Sequence, residues 1–100
     1  MYYIYILFSS RSDRYYIGHT SDVQKRLQEH NNPLRPEKYT AKNLPWNLVL
    51  SFQVSPDRGQ AMITERFIKK QKSRLFIEKL IAQKDHPEYF ETLINNILNK

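Results

Sequence analysis

The hydrophobic and polar positions along the chain predict three β-strands. Residues 2–8 form an unbroken apolar and aromatic run, which is typical of a buried strand. The polar residues 9–13 separate this run from a second short β-prone segment at 14–19, so the two segments predict a hairpin. A third strand is predicted at 46–54, where large apolar side chains occupy every second position.

Helical patterns occupy the rest of the chain. Ser21 and the glutamine three residues later form a capping-box pattern, which predicts a helix that begins there and ends at about Asn31. The pair Ser55-Pro56 resembles an N-cap with proline at the first helical position, so a long helix is expected over 56–73, with more helix up to residue 83. His86-Pro87 interrupts this pattern, and an amphipathic helix is predicted at about 87–99.

These elements predict an α/β protein of the α+β type. The order is ββαβααα, a small three-stranded antiparallel sheet flanked by helices. A chain of 100 residues is expected to form a single domain, residues 1–100. Three prolines in residues 32–45 predict a surface loop between the first helix and the third strand.

Two polar side chains fall on the apolar face of the first predicted helix. Val23, Arg26, Leu27 and His30 follow the i, i+3, i+4, i+7 spacing of one helical face. Arg26 and His30 could lie at the edge of this face and reach water, since long polar side chains extend to the surface. They could equally be functional residues, and the pattern leaves both interpretations open.

Glu65 raises the same question in the long helix. On a helical wheel it lies within about 60° of Ala61, Met62 and Ile68. A carboxylate among apolar residues is costly unless it is paired or binds a cation. A surface ion pair with Lys69 at i, i+4 is the simpler explanation, and a functional role is the other.

The positive charge of the chain is concentrated in one segment. The net charge is +6, and residues 58–84 carry eight Lys or Arg against two Asp or Glu. A basic stripe on one element is typical of a protein that contacts the phosphate backbone of DNA, although a solvated helix face has the same composition. The candidate nucleic-acid contacts are Lys69, Lys70, Lys72 and Arg74.

The composition also predicts where the protein acts. The chain has no cysteine, which excludes disulfides, thiolate metal sites and cysteine nucleophiles. The apolar run at residues 2–8 has no basic segment before it and is too short for a membrane span, which needs about 20 apolar residues. We therefore expect a cytoplasmic protein with no membrane partner.

Several of these residues resemble the motifs of a known family. Tyr3-Ile4-Tyr5 resembles the first motif of the GIY-YIG nucleases, and Tyr16-Ile17-Gly18 matches the second. Arg26 and His30 follow this motif in the order of the family's strand-then-helix signature, and Glu65 stands where the family has its metal-binding glutamate, on the helix after the third strand. The similarity covers about residues 2–82 and points to the small stand-alone bacterial branch, which is related to repair-type nuclease domains.

The resemblance implies an endonuclease that hydrolyses DNA phosphodiester bonds with one divalent metal, magnesium or manganese, in DNA repair or recombination. It implies that Glu65 holds the metal and that Tyr5 activates the attacking water. Tyr16 would position that water or the phosphate, Arg26 would stabilise the developing negative charge, and His30 would assist proton transfer. Free tyrosine titrates near pH 10, so a base at Tyr5 would need a lowered pKa.

Two departures from the family pattern keep other functions open. Tyr3 stands where the first motif has glycine, and no asparagine matches the polar residue that some members carry after the metal helix. A non-catalytic nucleic-acid-binding module with the same fold is therefore the alternative function. A protein partner or a homodimer that uses the last amphipathic helix is the third.

Overall fold

A computed structural model describes residues 1–32 and 42–99. These residues form an antiparallel sheet with helices on both faces, in the predicted order. The bounds are β1 (Tyr2–Ser9), β2 (Arg14–Thr20), α1 (Val23–Asn31), β3 (Asn47–Ser55), α2 (Arg58–Lys70), α3 (Arg74–Ala82) and α4 (Pro87–Leu98). The predicted α+β class and the ββαβααα order are confirmed. Most of the predicted loop at 32–45 lies outside the described residues.

The first strand is the centre of the sheet. The strand order is β2-β1-β3, and both neighbours are antiparallel to β1. Because β1 is covered on both faces, its residues Ile4, Tyr5, Ile6 and Leu7 are all buried, at no more than 1% exposure. This burial explains why the strand is a continuous apolar run rather than an alternating one.

The two faces of the sheet carry different clusters. Ile4 and Ile6 belong to the larger core, which α2, α3 and α4 complete. Tyr5 and Leu7 point the other way and pack with Trp46, beneath α1. The polar residues of α1 therefore face a small aromatic cluster, not the main core.

Two predicted helix starts are wrong by one to three residues. The N-cap of α1 is Asp22, whose carboxylate accepts a hydrogen bond from the Lys25 amide. The N-cap of α2 is Asp57 and not Ser55, because the Ser55 hydroxyl instead accepts from the Asp57 amide in a short turn. Both corrections have the same cause: a carboxylate one or two residues further on competes for the free amides of the first turn.

The predicted long helix at 56–73 is present but shorter, and the further helix expected up to residue 83 is a separate element, α3. The long helix ends at Lys70, and Lys72 adopts a left-handed conformation with φ of 48°. Ser73 then caps α3 by accepting a hydrogen bond from the Phe76 amide. A non-glycine residue in the left-handed region ends a helix because the next amides can no longer follow its axis.

No helix in the described part of the chain combines the length and the apolar character needed to cross a membrane.

Candidate functional site

Tyr5 and His30 form a buried polar pair between β1 and α1. The Tyr5 hydroxyl lies 2.9 Å from His30 Nε2. Burial raises the pKa of Tyr5 and lowers the pKa of His30, so the tyrosine keeps its proton while the imidazole is neutral. In the Nδ1-protonated tautomer of the neutral imidazole, the Tyr5 hydroxyl donates to His30 Nε2.

Tyr16 and Gly18 of β2 complete the surroundings of Tyr5. The Tyr16 ring lies edge-on to His30 at 4.7 Å between centroids and 6.2 Å from the Tyr5 ring. Gly18 is the cross-strand partner of Tyr5. The pairing of β1 with β2 thus brings the first motif, Tyr3-Ile4-Tyr5, next to the second motif, Tyr16-Ile17-Gly18.

Arg26 joins this group from the solvent side of α1. Its side chain is 48% exposed and pairs with Glu29 at 3.2 Å. Its guanidinium also lowers the pKa of Tyr5, although burial and the neighbouring Tyr16 outweigh this effect. Arg26 therefore reaches water, as the simpler sequence interpretation expects, and its positive charge at the same time acts on the buried tyrosine.

Glu65 is a paired carboxylate at the edge of the buried face of α2. Its Oε1 lies 2.6 Å from His19 Nδ1 and its Oε2 lies 2.7 Å from Lys69 Nζ. Burial opposes its ionisation, but the hydrogen bonds from Lys69 and His19 prevail and lower its pKa. The ion pair with Lys69 that the sequence allowed is present. Met62, expected beside Glu65 in an apolar arc, is 42% exposed.

His19 and Arg58 belong to the site, although neither was predicted from the sequence. Arg58 Nε donates to His19 Nε2 at 3.3 Å, so a chain of contacts runs from Arg58 through His19 to Glu65. His19 follows Ile17 on the same face of β2, the face that packs against a helix. A polar residue at such a position is the sequence feature that could have indicated a role for His19.

The two groups of polar side chains lie on opposite faces of the sheet and approach each other around β2. Tyr5, Tyr16 and His30 are on the α1 side, whereas Glu65 extends from α2, which packs on the other side. Glu65 is close enough to raise the pKa of Tyr5 electrostatically, after the larger effects of burial and Tyr16. A polar cleft of about 440 Å³ has both His19 and Arg26 in its wall.

The four candidate DNA contacts are not equivalent. Lys69, Lys70 and Lys72 are exposed at the end of α2 and in the turn after it. Arg74 is held by two carboxylates, Asp13 at 2.6 Å and Glu78 at 3.3 Å, and lies over the Tyr15 ring. This arginine joins α3 to the β1–β2 turn and is partly neutralised.

A hard divalent cation fits the donors that are present. Within residues 1–32 and 42–99 no three His, Cys, Asp or Glu side chains form a metal cage. Magnesium is commonly bound by one or two carboxylates together with water and phosphate oxygens, so a single ionised, partly exposed glutamate suffices. Glu65 is ionised at neutral pH and 19% exposed, which suits such a role better than a fully buried acid.

Comparisons with known proteins identify the family of the chain. The model of the GIY-YIG catalytic domain matches residues 1–80. The UPF0213 protein of Streptococcus pneumoniae serotype 4 is 35% identical over 91 residues, which cover 89% of each chain. The UPF0213 protein YsiG of Lactococcus lactis is 36% identical, over 90% of this chain and 88% of its own.

A solved structure is also similar. The solution NMR structure of the UPF0213 protein BH0048 from Bacillus halodurans is 32% identical, covers 88% of this chain and 90% of its own, and has a TM-score of 0.49. The family match covers most of the chain and includes Tyr5, Tyr16, Arg26 and Glu65. This chain therefore belongs to the GIY-YIG family.

Proposed function

We propose that this protein is a metal-dependent endonuclease that hydrolyses DNA phosphodiester bonds. The observation that carries the proposal is the Tyr5 hydroxyl, which is buried, lies 2.9 Å from His30 Nε2 and is close enough to Arg26 for the guanidinium to lower its pKa against the larger effect of burial. A structural tyrosine needs one hydrogen-bond partner, whereas this one has an acceptor for its proton and a cation beside its oxygen. Membership of the GIY-YIG family supports the same reaction class.

Tyr5 acts as a proton relay and not as a preformed phenolate. Its raised pKa keeps the hydroxyl protonated at neutral pH. The hydroxyl oxygen accepts a proton from the attacking water while its own proton passes to His30 Nε2, 2.9 Å away. The lowered pKa of His30 keeps the imidazole neutral at neutral pH, and in its Nδ1-protonated tautomer Nε2 accepts the proton. The new bond joins the water oxygen to phosphorus, and the bond to the leaving oxygen breaks.

Arg26 stabilises the negative charge that develops on the phosphate. Its guanidinium is half exposed, so a phosphate can reach it, and it presents several donors in one plane. Its pairing with Glu29 is a surface contact that contributes little free energy and can be exchanged for phosphate. Tyr16, beside His30, orients the water or the phosphate.

Glu65 would hold a divalent cation, magnesium or manganese, and His19 orients the carboxylate. A bound cation would supply polarisation of the phosphoryl oxygens. Lys69 is the side chain that has to release one carboxylate oxygen, and its 50% exposure gives it room to turn toward a DNA phosphate.

A non-catalytic DNA-binding module is the second candidate. The paired state of Glu65 favours it, because both carboxylate oxygens already have protein partners and the group is satisfied as a structural ion pair. The basic segment and the fold would then serve binding alone.

Cleavage of supercoiled plasmid and of branched DNA, with and without magnesium or manganese, tests the proposal. A branched substrate is included because the resemblance points to repair-type nuclease domains. We expect metal-dependent nicking by the wild type and none by Glu65→Gln. Binding without any cleavage in either metal would support the non-catalytic module instead.

A further inference from the structure

A second cavity lies beside the proposed reaction site, between β2 and the helices α2 and α3. Its volume is about 360 Å³. Ile68 and Ile77 form part of an apolar wall, Tyr15 contributes an aromatic side chain on the same face of β2 as Ile17, and the exposed Lys69 and Lys72 contribute the positive charge. None of the catalytic steps proposed above uses this apolar space.

The cavity adjoins the reaction site through two shared residues. Lys69 lines the cavity and bonds the carboxylate of Glu65 at 2.7 Å. Tyr16 also lines the cavity, although its ring packs on the α1 face of the sheet, with its centroid 6.2 Å from that of Tyr5. A group in the cavity would therefore belong to a nucleotide next to the phosphate under attack.

The chemistry of the walls matches one part of a nucleotide. Aliphatic and aromatic walls favour the planar face of a base, and lysine ammonium groups favour its phosphate. Ligand pockets span about 300–1,000 Å³, so a cavity at the small end of that range suits one base and not a base pair. A base within a duplex would first have to leave the stack, which costs a few kcal/mol.

We infer that this cavity binds one unstacked nucleobase beside the scissile phosphate, so that the protein prefers DNA with an unpaired nucleotide there over fully paired duplex. The inference rests on the proposed function and adds a substrate class to it. Single strands, flaps and branch points provide such a base without the cost of opening a pair.

The test compares two single-stranded probes of equal length and charge, an oligothymidine and an oligomer of abasic residues. Binding is measured by fluorescence anisotropy with the metal chelated, so cleavage plays no part. Stacking of one base on a protein surface corresponds to roughly fivefold to hundredfold in affinity. We expect the wild type to bind the oligothymidine at least about fivefold more tightly than the abasic probe.

Two alanine variants in α3 test whether the preference for the probe with bases arises in the cavity. Ile77→Ala removes part of the cavity wall and should reduce the affinity ratio between the probes at least twofold. Ile81→Ala truncates a half-buried isoleucine on the same helix outside the cavity and should leave the ratio unchanged. Thermal melts establish that both variants are folded, and the wild-type ratio stands independently of them.

The outcomes separate the two proposals. Equal binding of both probes by the wild type overturns the base cavity and leaves the nuclease assignment standing. Equal reduction of the ratio by Ile77→Ala and Ile81→Ala also overturns it, because the preference would then lie elsewhere. Failure to bind either probe while duplex DNA is bound overturns the cavity alone, whereas failure to bind any of these DNAs contradicts the DNA-binding function as well.

Discussion

Tyr5 and Gly18 are cross-strand partners packed so closely that no side chain fits at position 18. A Cβ on Gly18 would lie 2.5 Å from the Tyr5 hydroxyl oxygen and 2.6 Å from the ring carbon that carries it. Neither glycine in the described residues has a positive φ, so the requirement comes from the tyrosine side chain and not from the backbone. Because Gly18 of the second motif has no side chain, it leaves the space that the Tyr5 side chain of the first motif occupies.

Gly18→Ala should displace Tyr5 and disturb both stability and cleavage. Overpacking of a buried site costs about 1–3 kcal/mol, and the ring has little room to move because Tyr5 is 1% exposed. Urea denaturation measures the loss in free energy of unfolding, and plasmid nicking measures the loss of activity.

Gly59→Ala is the matched control. A Cβ at that position would be 3.4 Å from the Asp57 carboxylate, which is an ordinary contact, and the residue is in the first turn of α2. Alanine there should raise the free energy of unfolding by up to about 1 kcal/mol. Equal changes in the free energy of unfolding and in nicking for Gly18→Ala and Gly59→Ala would contradict the close packing of Gly18 against Tyr5.

The relay from Tyr5 to His30 predicts the pH dependence of cleavage. Because burial lowers the pKa of His30 below 6.5, the imidazole is neutral at pH 7 and becomes protonated only in more acidic solution. Cleavage should therefore be flat near neutrality and decline on the acid side, and Tyr5→Phe and His30→Gln should both abolish it while retaining DNA binding. A rate that keeps rising up to about pH 10 would indicate a Tyr5 phenolate instead.

The same histidine predicts a pH dependence of stability. The unfolded chain binds a proton at His30 near pH 6.5, whereas the folded chain binds it only at lower pH. Stability from this group is present above pH 6.5 and is lost as the pH falls below it. Melting temperatures at neutral and mildly acidic pH should show a smaller acid-induced drop in His30→Gln than in the wild type. The exposed His86, replaced by Gln, serves as the control and should keep the wild-type drop.

The substitution Glu65→Gln distinguishes a metal-binding role of Glu65 from a purely structural one. Because the carboxylate is paired with Lys69 and His19, its loss should lower the free energy of unfolding by less than about 1 kcal/mol. Cleavage should disappear and DNA affinity should remain or improve, since a negative charge is removed. Glu78→Gln, which removes a comparable i, i+4 partner from Arg74, should retain full activity. Undiminished metal-dependent cleavage by Glu65→Gln would refute the metal assignment.

DNA affinity should depend on salt through the lysines that follow Glu65. Each phosphate contact contributes about 0.9 to the slope of log K against log salt on duplex DNA. Replacing Lys70 and Lys72 by alanine should reduce the magnitude of that slope by roughly 1–2. Lys79 and Lys84, two exposed lysines whose replacement makes the same change in charge, are the control pair. Equal effects of the two double variants would indicate an effect of net charge alone.

The element order and the family could be predicted from the sequence because both depend on local pattern. The apolar run of β1, the capping residues and the prolines act over a few neighbouring positions, and they predicted ββαβααα with boundary errors at Asp22, Asp57 and Lys72. Those errors arose where two capping side chains competed or where one residue left the helical region.

The contacts of the site were decided by the tertiary structure. The sequence marked Arg26, His30 and Glu65 as polar residues in apolar patterns, but it could not show that His30 bonds Tyr5 or that His19 bonds Glu65. These partners are 25 and 46 residues apart in the chain, and only the register of β1 with β2 and the packing of α1 and α2 bring them together. The direction of the Tyr5 pKa shift has the same origin: it depends on burial between two layers, which no local pattern determines.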